Sequence, residues 1–142
     1  MNYLLDTDHI SILQRQAGPE FASIMAHLAP LEPSVMAFSI ISLHEQVLGC
    51  HAYINRAQSA DYVIRGYRMM GQVLNAFAAA PVLLFDAAAA SLFAEFVAQG
   101  SRIGRIDLRI ASIALSQNRV MVTRNARDFG KVPGLQFEDW TL

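Results

Sequence analysis

The chain has 142 residues, of which 54% are hydrophobic and 16% charged, and its formal net charge at pH 7 is −1. This length suits one domain with a sizeable core, so we expect a single domain over residues 1–142. No run approaches the roughly 18 apolar residues that span a bilayer, no basic flank marks a secretory signal, and the lone Cys50 excludes an internal disulfide, which together favour a cytoplasmic protein.

Apolar segments alternate with segments of helical spacing along the whole chain. Five segments are predicted strands: NYLLD (2–6), SVMAFSI (34–40), VLLFD (82–86), RVMVT (119–123) and LQFED (135–139). The segments between them are predicted helices: residues 7–16, 19–30, 42–58, 59–80, 87–100 and 105–118. Strands that alternate with helices predict an α/β fold, a parallel sheet of about five strands with helices on both faces.

Polar residues, most of them acidic, stand where the predicted strands end or where nearby helices begin. The carboxyl ends of parallel strands meet at one edge of a sheet, and the helices that run back start at that edge. We therefore expect this edge to collect six side chains: Asp6 and Asp8 after the first strand, Glu45 after the second, Asp107 before the fourth, and Asn125 and Asp128 after the fourth.

Carboxylates gathered in this way repel one another unless some are protonated or a cation lies between them. Oxygen ligands without a Cys or His cluster favour Mg²⁺ or Mn²⁺ over Zn²⁺. Ten of the eleven basic residues are arginines, and arginine binds phosphate through paired donors. Because carboxylate-held divalent cations activate water in phosphodiester cleavage, the pattern favours a metal-assisted nuclease.

Individual residues also have simpler structural interpretations. Asp8 or Asp107 can cap a helix, and Asp86 is best interpreted as the cap of the helix at residue 87. Glu45 can be a solvated helical acid. Asp6 is harder to explain in this way, because a carboxylate that closes an apolar strand needs partners.

Four histidines are scattered over the predicted helices, and we expect none of them to form a metal-ligand pair with a carboxylate: His9, His27, His44 and His51. Cys50 is predicted as a small buried residue and Trp140 as a packing anchor. A signalling receiver domain also gathers acids at strand ends, but it would need a lysine after the fifth strand, and the single lysine, Lys131, precedes it. A dinucleotide-binding domain is excluded because no glycine-rich turn follows the first strand.

Four segments resemble the signature blocks of a PIN domain: YLLDTDHIS, SLHEQVLG, IDLRIASIAL and VTRNARDFGKVPGLQFEDW. More narrowly, they are similar to those of the VapC-like toxins of bacterial toxin–antitoxin pairs, in the same order from end to end. The resemblance implies a parallel sheet covered on both sides and a Mg²⁺- or Mn²⁺-dependent endoribonuclease. It also implies an RNA substrate and a cognate antitoxin that holds the enzyme inactive in its acidic groove.

Carried onto this chain, the resemblance implies catalytic roles for five residues: Asp6, Glu45, Asp107, Asn125 and Asp128. Among them, Asp6, Asp107 and Glu45 are the expected metal ligands. Behind them, Thr123 is expected to orient Asp6 or Asn125 by a hydrogen bond, and Asp8 to support the ligands. Four arginines are candidates for RNA phosphate contacts: Arg105, Arg109, Arg124 and Arg127. For Arg109 an ion pair with an acid behind the site is the alternative.

Two expectations concern partners. The apolar residues of the 60–80 region suit a surface for the antitoxin or for a second copy of the chain, or else they simply cover the core: Met69, Met70, Val73, Leu74 and Phe77. Since such toxins commonly dimerise, we expect a homodimer. At Asn125 the family often has Asp or Asn, and the amide of this chain brings no charge, so a non-catalytic PIN-like module that binds RNA or protein remains the alternative function.

Overall fold

The computed structural model describes residues 1–142 as five strands and seven α-helices. The strands are short: β1 (Tyr3–Leu5), β2 (Met36–Ser39), β3 (Val82–Leu83), β4 (Val120–Val122) and β5 (Phe137–Glu138). The helices are α1 (Thr7–Arg15), α2 (Pro19–Leu28), α3 (Ile40–Arg56), α4 (Ala60–Phe77), α5 (Ala87–Ala98), α6 (Arg105–Ser116) and α7 (Ala126–Phe129). The sequence did not predict α7 or the 3₁₀ turn at Pro33–Val35 before β2.

All five strands run parallel in one sheet of order β3-β2-β1-β4-β5. The central strand β1 pairs with both β2 and β4, so that Leu4 lies beside Ala37 on one side and Met121 on the other. This arrangement confirms the predicted α/β class and the parallel sheet. Because β1, β2 and β4 end side by side, the residues that follow them meet at one edge.

Alternation along the strands divides the core into two layers. Leu4, Ala37 and Met121 point into a cluster with α5 and α6, whereas Leu5 and Val122 point into a second cluster with helices α1 to α4. The buried residues of both layers are at most 9% exposed, and each of the strands β1 to β4 contributes to both, so the sheet is covered by helices on both faces as predicted.

Side-chain caps fix where most of the helices begin. The carboxylate of Asp6 accepts a hydrogen bond from the backbone N–H of Thr7 and caps α1, so the interpretation of Asp8 as that cap was wrong. Gly104, not Asp107, occupies the cap position of α6, and Asp107 lies in its first turn. Asp86 accepts from the N–H of Ala89 and caps α5, as predicted.

Most of the apolar residues of α4 that were candidates for a partner surface instead cover the core. Val73 and Phe77 are 9% and 4% exposed, and Met69 and Met70 pack partly buried against the same cluster. Leu74 alone is largely exposed, at 69%. The alternative that these residues cover the core, which the sequence left open, therefore holds for all of them except Leu74.

The two single-residue expectations hold. Trp140 is buried, stacks on the imidazole of His27 and meets the ring of Tyr3 edge to face, so it anchors the end of the chain. Cys50 is buried within the cluster below α3. None of the helices combines the length and hydropathy that crossing a bilayer requires.

The α3–α4 hairpin depends on a glycine at a close crossing. A Cβ at Gly66 would lie 2.4 Å from Cγ1 of Ile54 and 3.1 Å from Cδ1 of Tyr53, whereas a Cβ at Gly71 would meet nothing within 4 Å. We expect Gly66→Ala to lower the free energy of unfolding by about 1–3 kcal/mol through overpacking. In the same helix, Gly71→Ala should raise it by roughly 0.5–1 kcal/mol through helix propensity.

Urea denaturation of the two variants beside the parent chain tests this expectation. Helix propensity alone would stabilise both variants. A lower free energy of unfolding for Gly66→Ala together with a higher one for Gly71→Ala would therefore show that the crossing at Gly66 is tight. Equal stabilisation by both substitutions would show that Ile54 can move aside at no cost and that the crossing is not tight.

Candidate active site

Asp6 follows β1 directly, and neutral donors hold both of its oxygens. Oδ1 accepts from the backbone N–H of Thr7 at 2.8 Å, and Oδ2 accepts from Oγ1 of Thr123 at 2.8 Å. The N–H of Asp6 continues the sheet ladder to the carbonyl of Val122. Only 6% of the residue is exposed, so its carboxylate is fixed in place and largely removed from water.

The electrostatic environment opposes ionisation at this edge. Burial, followed by the nearby charge of Asp8, raises the pKa of Asp6 to about 6, although the hydrogen bond from Thr123 acts in the opposite direction. Burial and then the charges of Asp128 and Asp8 raise the pKa of Asp107, and burial with a contribution from Asp107 raises that of Glu45. The acids expected to converge on this edge therefore do lie within electrostatic range of one another.

No lysine or arginine compensates these acids. The two ion-pair contacts in the chain both involve His9, and their partners are Asp8 and Asp139. The alternative that Arg109 pairs with an acid is therefore wrong. Its guanidinium lies instead over the ring of Phe93 at 5.4 Å from the centroid, next to that of Arg105 at 5.8 Å.

Arg124 and Arg127 are exposed on the loop and short helix after β4. With Arg105 and Arg109 on α6, they leave four guanidinium groups without a carboxylate partner in the part of the fold that carries Asp107 and Asp128. Arginines of this kind have their donors available for an anionic ligand.

Glu45 is connected to β2 by a series of hydroxyl groups that the sequence analysis did not identify. Oγ1 of Thr7 donates to Oε1 of Glu45 at 3.3 Å and lies 2.8 Å from Oγ of Ser42. Oγ of Ser39 in turn donates to Oγ of Ser42 at 3.1 Å. Two residues in the sequence could have indicated this series: Ser39, which ends β2, and Thr7, which follows Asp6. Ser39 is buried and Thr7 is half-buried at the same edge of the sheet.

Asn125 binds the neighbouring acids through its amide nitrogen. Its Oδ1 accepts from the backbone N–H of Asp128, which assigns Nδ2 as the atom that faces Oδ2 of Asp128 at 3.0 Å and Oδ2 of Asp107 at 3.4 Å. Its own N–H donates to Oγ1 of Thr123 at 3.0 Å. Thr123 thus makes the hydrogen bonds expected of it, and Asn125 joins the two acids as a neutral donor.

Asp8 points to the loop after β4 and is paired with a histidine. Its Oδ2 accepts from the N–H of Arg124 at 2.9 Å, and its Oδ1 lies 2.7 Å from Nδ1 of the fully buried His9. The sequence analysis did not identify this contact between Asp8 and His9. Burial alone would raise the pKa of Asp8, but the hydrogen bonds from His9 and Arg124 outweigh it and lower that pKa.

The oxygen atoms of the acids at this edge are suitable ligands for a divalent cation, although the acids do not form a complete coordination shell. No three His, Cys, Asp or Glu side chains lie close enough together to form a ready-made metal cluster. Oxygen donors with raised pKa values and no basic partner nevertheless match the preference of Mg²⁺ or Mn²⁺, whose bound waters complete an incomplete set of protein ligands.

Comparisons with known proteins agree with this fold and site. "Ribonuclease VapC1" of Haemophilus influenzae strain R2866 is 32% identical over 142 residues, covering 99% of each chain. "tRNA(fMet)-specific endonuclease VapC" of Salmonella typhimurium is 32% identical over 114 residues, 78% of this chain and 79% of that protein. The crystal structure of VapBC-1 from nontypeable Haemophilus influenzae matches over 100% of both chains, with 26% identity and a TM-score of 0.79.

A parallel sheet covered on both faces, with an acidic carboxyl edge, places the chain in the class of PIN-domain proteins, as its signature segments predicted. Within that class, it belongs to the VapC ribonuclease family. No model in a scan of protein families matches the sequence, so this assignment depends on the relatives and the solved structures.

The burial of Asp6 predicts how the free energy of unfolding depends on pH in the absence of metal ions. Because folding raises the pKa of Asp6 from 3.8 to about 6, the stability that this group contributes is present below pH 3.8 and is lost as the pH rises through about 6. Relative to Asp6→Asn, the parent chain in EDTA should therefore lose about 1–3 kcal/mol of unfolding free energy between pH 4 and pH 7.5.

Urea denaturation of both proteins at a series of pH values measures this difference, and the effects of acids that do not interact with Asp6 cancel in it. Adding Mg²⁺ at pH 7.5 should stabilise the parent more than the variant, since binding to the folded state raises apparent stability. A gap between the two proteins that does not change with pH would contradict the burial of an ionised Asp6.

Proposed function

We propose that the chain is a metal-dependent endoribonuclease, the toxin of a toxin–antitoxin pair, which hydrolyses RNA phosphodiester bonds, inhibits translation and is neutralised by a cognate antitoxin. One observation carries this proposal: several acids meet at the carboxyl edge of the sheet with raised pKa values and without a basic partner. Relatives named ribonuclease and endonuclease, and a neighbour solved as VapBC-1, support the reaction and the partner.

Asp6, Asp107 and Glu45 would hold Mg²⁺ or Mn²⁺ in a single nuclease domain of residues 1–142. When bound, such an ion lowers the pKa of a water molecule and polarises the phosphate. Thr7 and Thr123 keep the oxygens of Asp6 in a fixed direction. Asn125 holds Asp107 and Asp128 through its amide, which leaves Asp128 as an acceptor beside the reacting phosphate.

The arginines supply the complementary contacts to the RNA backbone. Arg105 and Arg109 lie over the ring of Phe93, which limits the freedom of two long side chains before the substrate arrives. Arg124 and Arg127 are exposed and lie one residue before and two residues after Asn125 in the sequence. Arginines without carboxylate partners near an acidic centre suit an RNA strand that crosses it, since phosphate contacts position the strand.

Cleavage of RNA by the purified, antitoxin-free protein tests this function. With Mg²⁺ or Mn²⁺, bulk tRNA that includes tRNA(fMet) should give discrete fragments, and EDTA should abolish them. Asp6→Asn should lower the cleavage rate at least about a thousandfold, because it removes a ligand charge at the reacting centre. Asp86→Asn is the matched control: the same kind of residue after a strand, but a helix cap outside the site, so activity should persist.

Failure to cleave any RNA pool by folded protein supplied with metal would contradict the nuclease. RNA binding that survives EDTA in such a protein would instead support the non-catalytic module. Equal loss of activity in Asp6→Asn and Asp86→Asn would show that the assay reports folding rather than chemistry.

The exposed face of α4 supports self-association, although of the residues that the sequence favoured only Leu74 belongs to it. Val63, Tyr67 and Leu74 are 36%, 59% and 69% exposed, and their spacing of four and seven residues places them on one side of the helix. Apolar residues grouped in this way are typical of an interface. A homodimer through α4 would remove them from water.

Light scattering at micromolar concentration should therefore give twice the chain mass of 15.7 kDa. Leu74→Glu should shift the mass to that of a monomer, because a charge would be buried in the interface. Leu84→Glu alters a leucine of similar exposure, 64%, outside α4 and should leave the dimer intact. A parent chain that is monomeric throughout would contradict the proposal.

A further inference from the structure

His9 has no role in the site described so far, although it is completely buried and fully hydrogen-bonded. Its Nε2 accepts the backbone N–H of Trp140 at 3.2 Å, and its Nδ1 lies 2.7 Å from Oδ1 of Asp8. Since Nε2 is used as an acceptor, Nδ1 carries the proton and donates it to Asp8. The ring therefore links the segment after β5 to a carboxylate at the active edge.

The contacts continue from Asp8 to the loop that carries Asn125. The second oxygen of Asp8 accepts the N–H of Arg124 at 2.9 Å and lies 3.4 Å from Oγ1 of Thr123. Arg124 is exposed, so its backbone amide would exchange with water readily without that acceptor. The next residue, Asn125, donates to Asp107 and Asp128. One path thus runs from Trp140 through His9 and Asp8 to the Arg124 amide by hydrogen bonds. It continues along the chain to Asn125 and, by a further hydrogen bond, to Asp107.

We propose that His9 is a positioning residue for the reaction: it holds the carboxylate of Asp8 on the Arg124 amide and so fixes Asn125 against Asp107 and Asp128. This inference rests on the proposed nuclease function. The proposed role differs from a purely structural one. Without the hydrogen bond from His9, the carboxylate of Asp8 can rotate although the core around it stays packed. The reaction is sensitive to such a change, since displacement of a catalytic group by about 1 Å can cost a hundredfold in rate.

Three variants separate the positioning role from packing. His9→Leu keeps an apolar body and loses both hydrogen bonds. His9→Gln retains one donor and one acceptor and serves as the conservative rescue. His27→Leu is the matched control, because it removes the ring stacked at 5.5 Å on Trp140 and thus loosens the same C-terminal segment without touching Asp8.

With RNA as substrate, His9→Leu should lower kcat about ten- to a hundredfold and change KM less, because three of the four candidate phosphate-binding arginines, Arg105, Arg109 and Arg127, make no contact with Asp8. His9→Gln should recover most of this loss, and His27→Leu should retain the kcat of the parent. A His9→Leu enzyme with the parent's kcat overturns the proposal. Equal losses of kcat in His9→Leu and His27→Leu overturn it as well.

Nuclear magnetic resonance tests the same inference without activity. In the parent protein the ¹⁵N shifts of His9 should identify Nδ1 as protonated and Nε2 as unprotonated, and the opposite tautomer overturns the proposal. Hydrogen exchange at the Arg124 amide should become at least about tenfold faster in His9→Leu and remain unchanged in His27→Leu. If the parent cleaves no RNA, the proposed nuclease function is wrong. If hydrogen exchange at the Arg124 amide is the same in His9→Leu as in the parent, the proposed path from His9 to Arg124 is wrong.

Discussion

Asp6 is a carboxylate that has lost almost all contact with water, and acids on other elements lie near enough to raise one another's pKa values. Two unit charges 4 Å apart repel by about 4 kcal/mol at the effective dielectric of a protein surface. A neutral hydrogen bond contributes only about 1 kcal/mol. The donors Thr7, Thr123 and Asn125 can therefore hold the acids in place, but they cannot balance their charge.

The rest of the architecture keeps these acids in place despite their repulsion. Leu4 and Leu5 bury opposite faces of β1 in separate clusters, so the strand that delivers Asp6 is fixed from both sides. Further along the edge, the loop after β4 is tied to Thr123 and Asp8 through the amides of Asn125 and Arg124. Rigid short strands and a hydrogen-bonded loop thus turn an unfavourable charge distribution into a preorganised one.

The position of the acids and the hydrogen bonds of Thr123 could be predicted from the sequence, whereas the other partners of the acids could not. An apolar run that ends at Asp6, and a similar run before Asn125, fix an edge because parallel strands share their direction. The capping of α1 by Asp6 rather than Asp8, and the contact of His9 with Asp8, depend on rotamers at the first turn of a helix, about which residue order is silent. The role of the apolar residues of α4 stayed open between a partner surface and the core, because hydrophobic spacing does not say which side of a helix faces the core.

The hydroxyl groups of Ser39, Ser42 and Thr7 have a consequence of their own. Each hydroxyl has one proton to donate, and since Ser39 donates to Ser42 while Thr7 donates to Glu45, the remaining contact requires Ser42 to donate to Thr7. The three protons therefore point the same way along the edge, towards the carboxylate. Their dipoles add, and a reversal at one member would set two lone pairs against each other, so the polarity of the series is an all-or-none property. The electrostatic field of the aligned hydroxyl dipoles at Glu45 thus begins at Ser39, at the end of β2, although the only hydroxyl in the series that contacts Glu45 is that of Thr7.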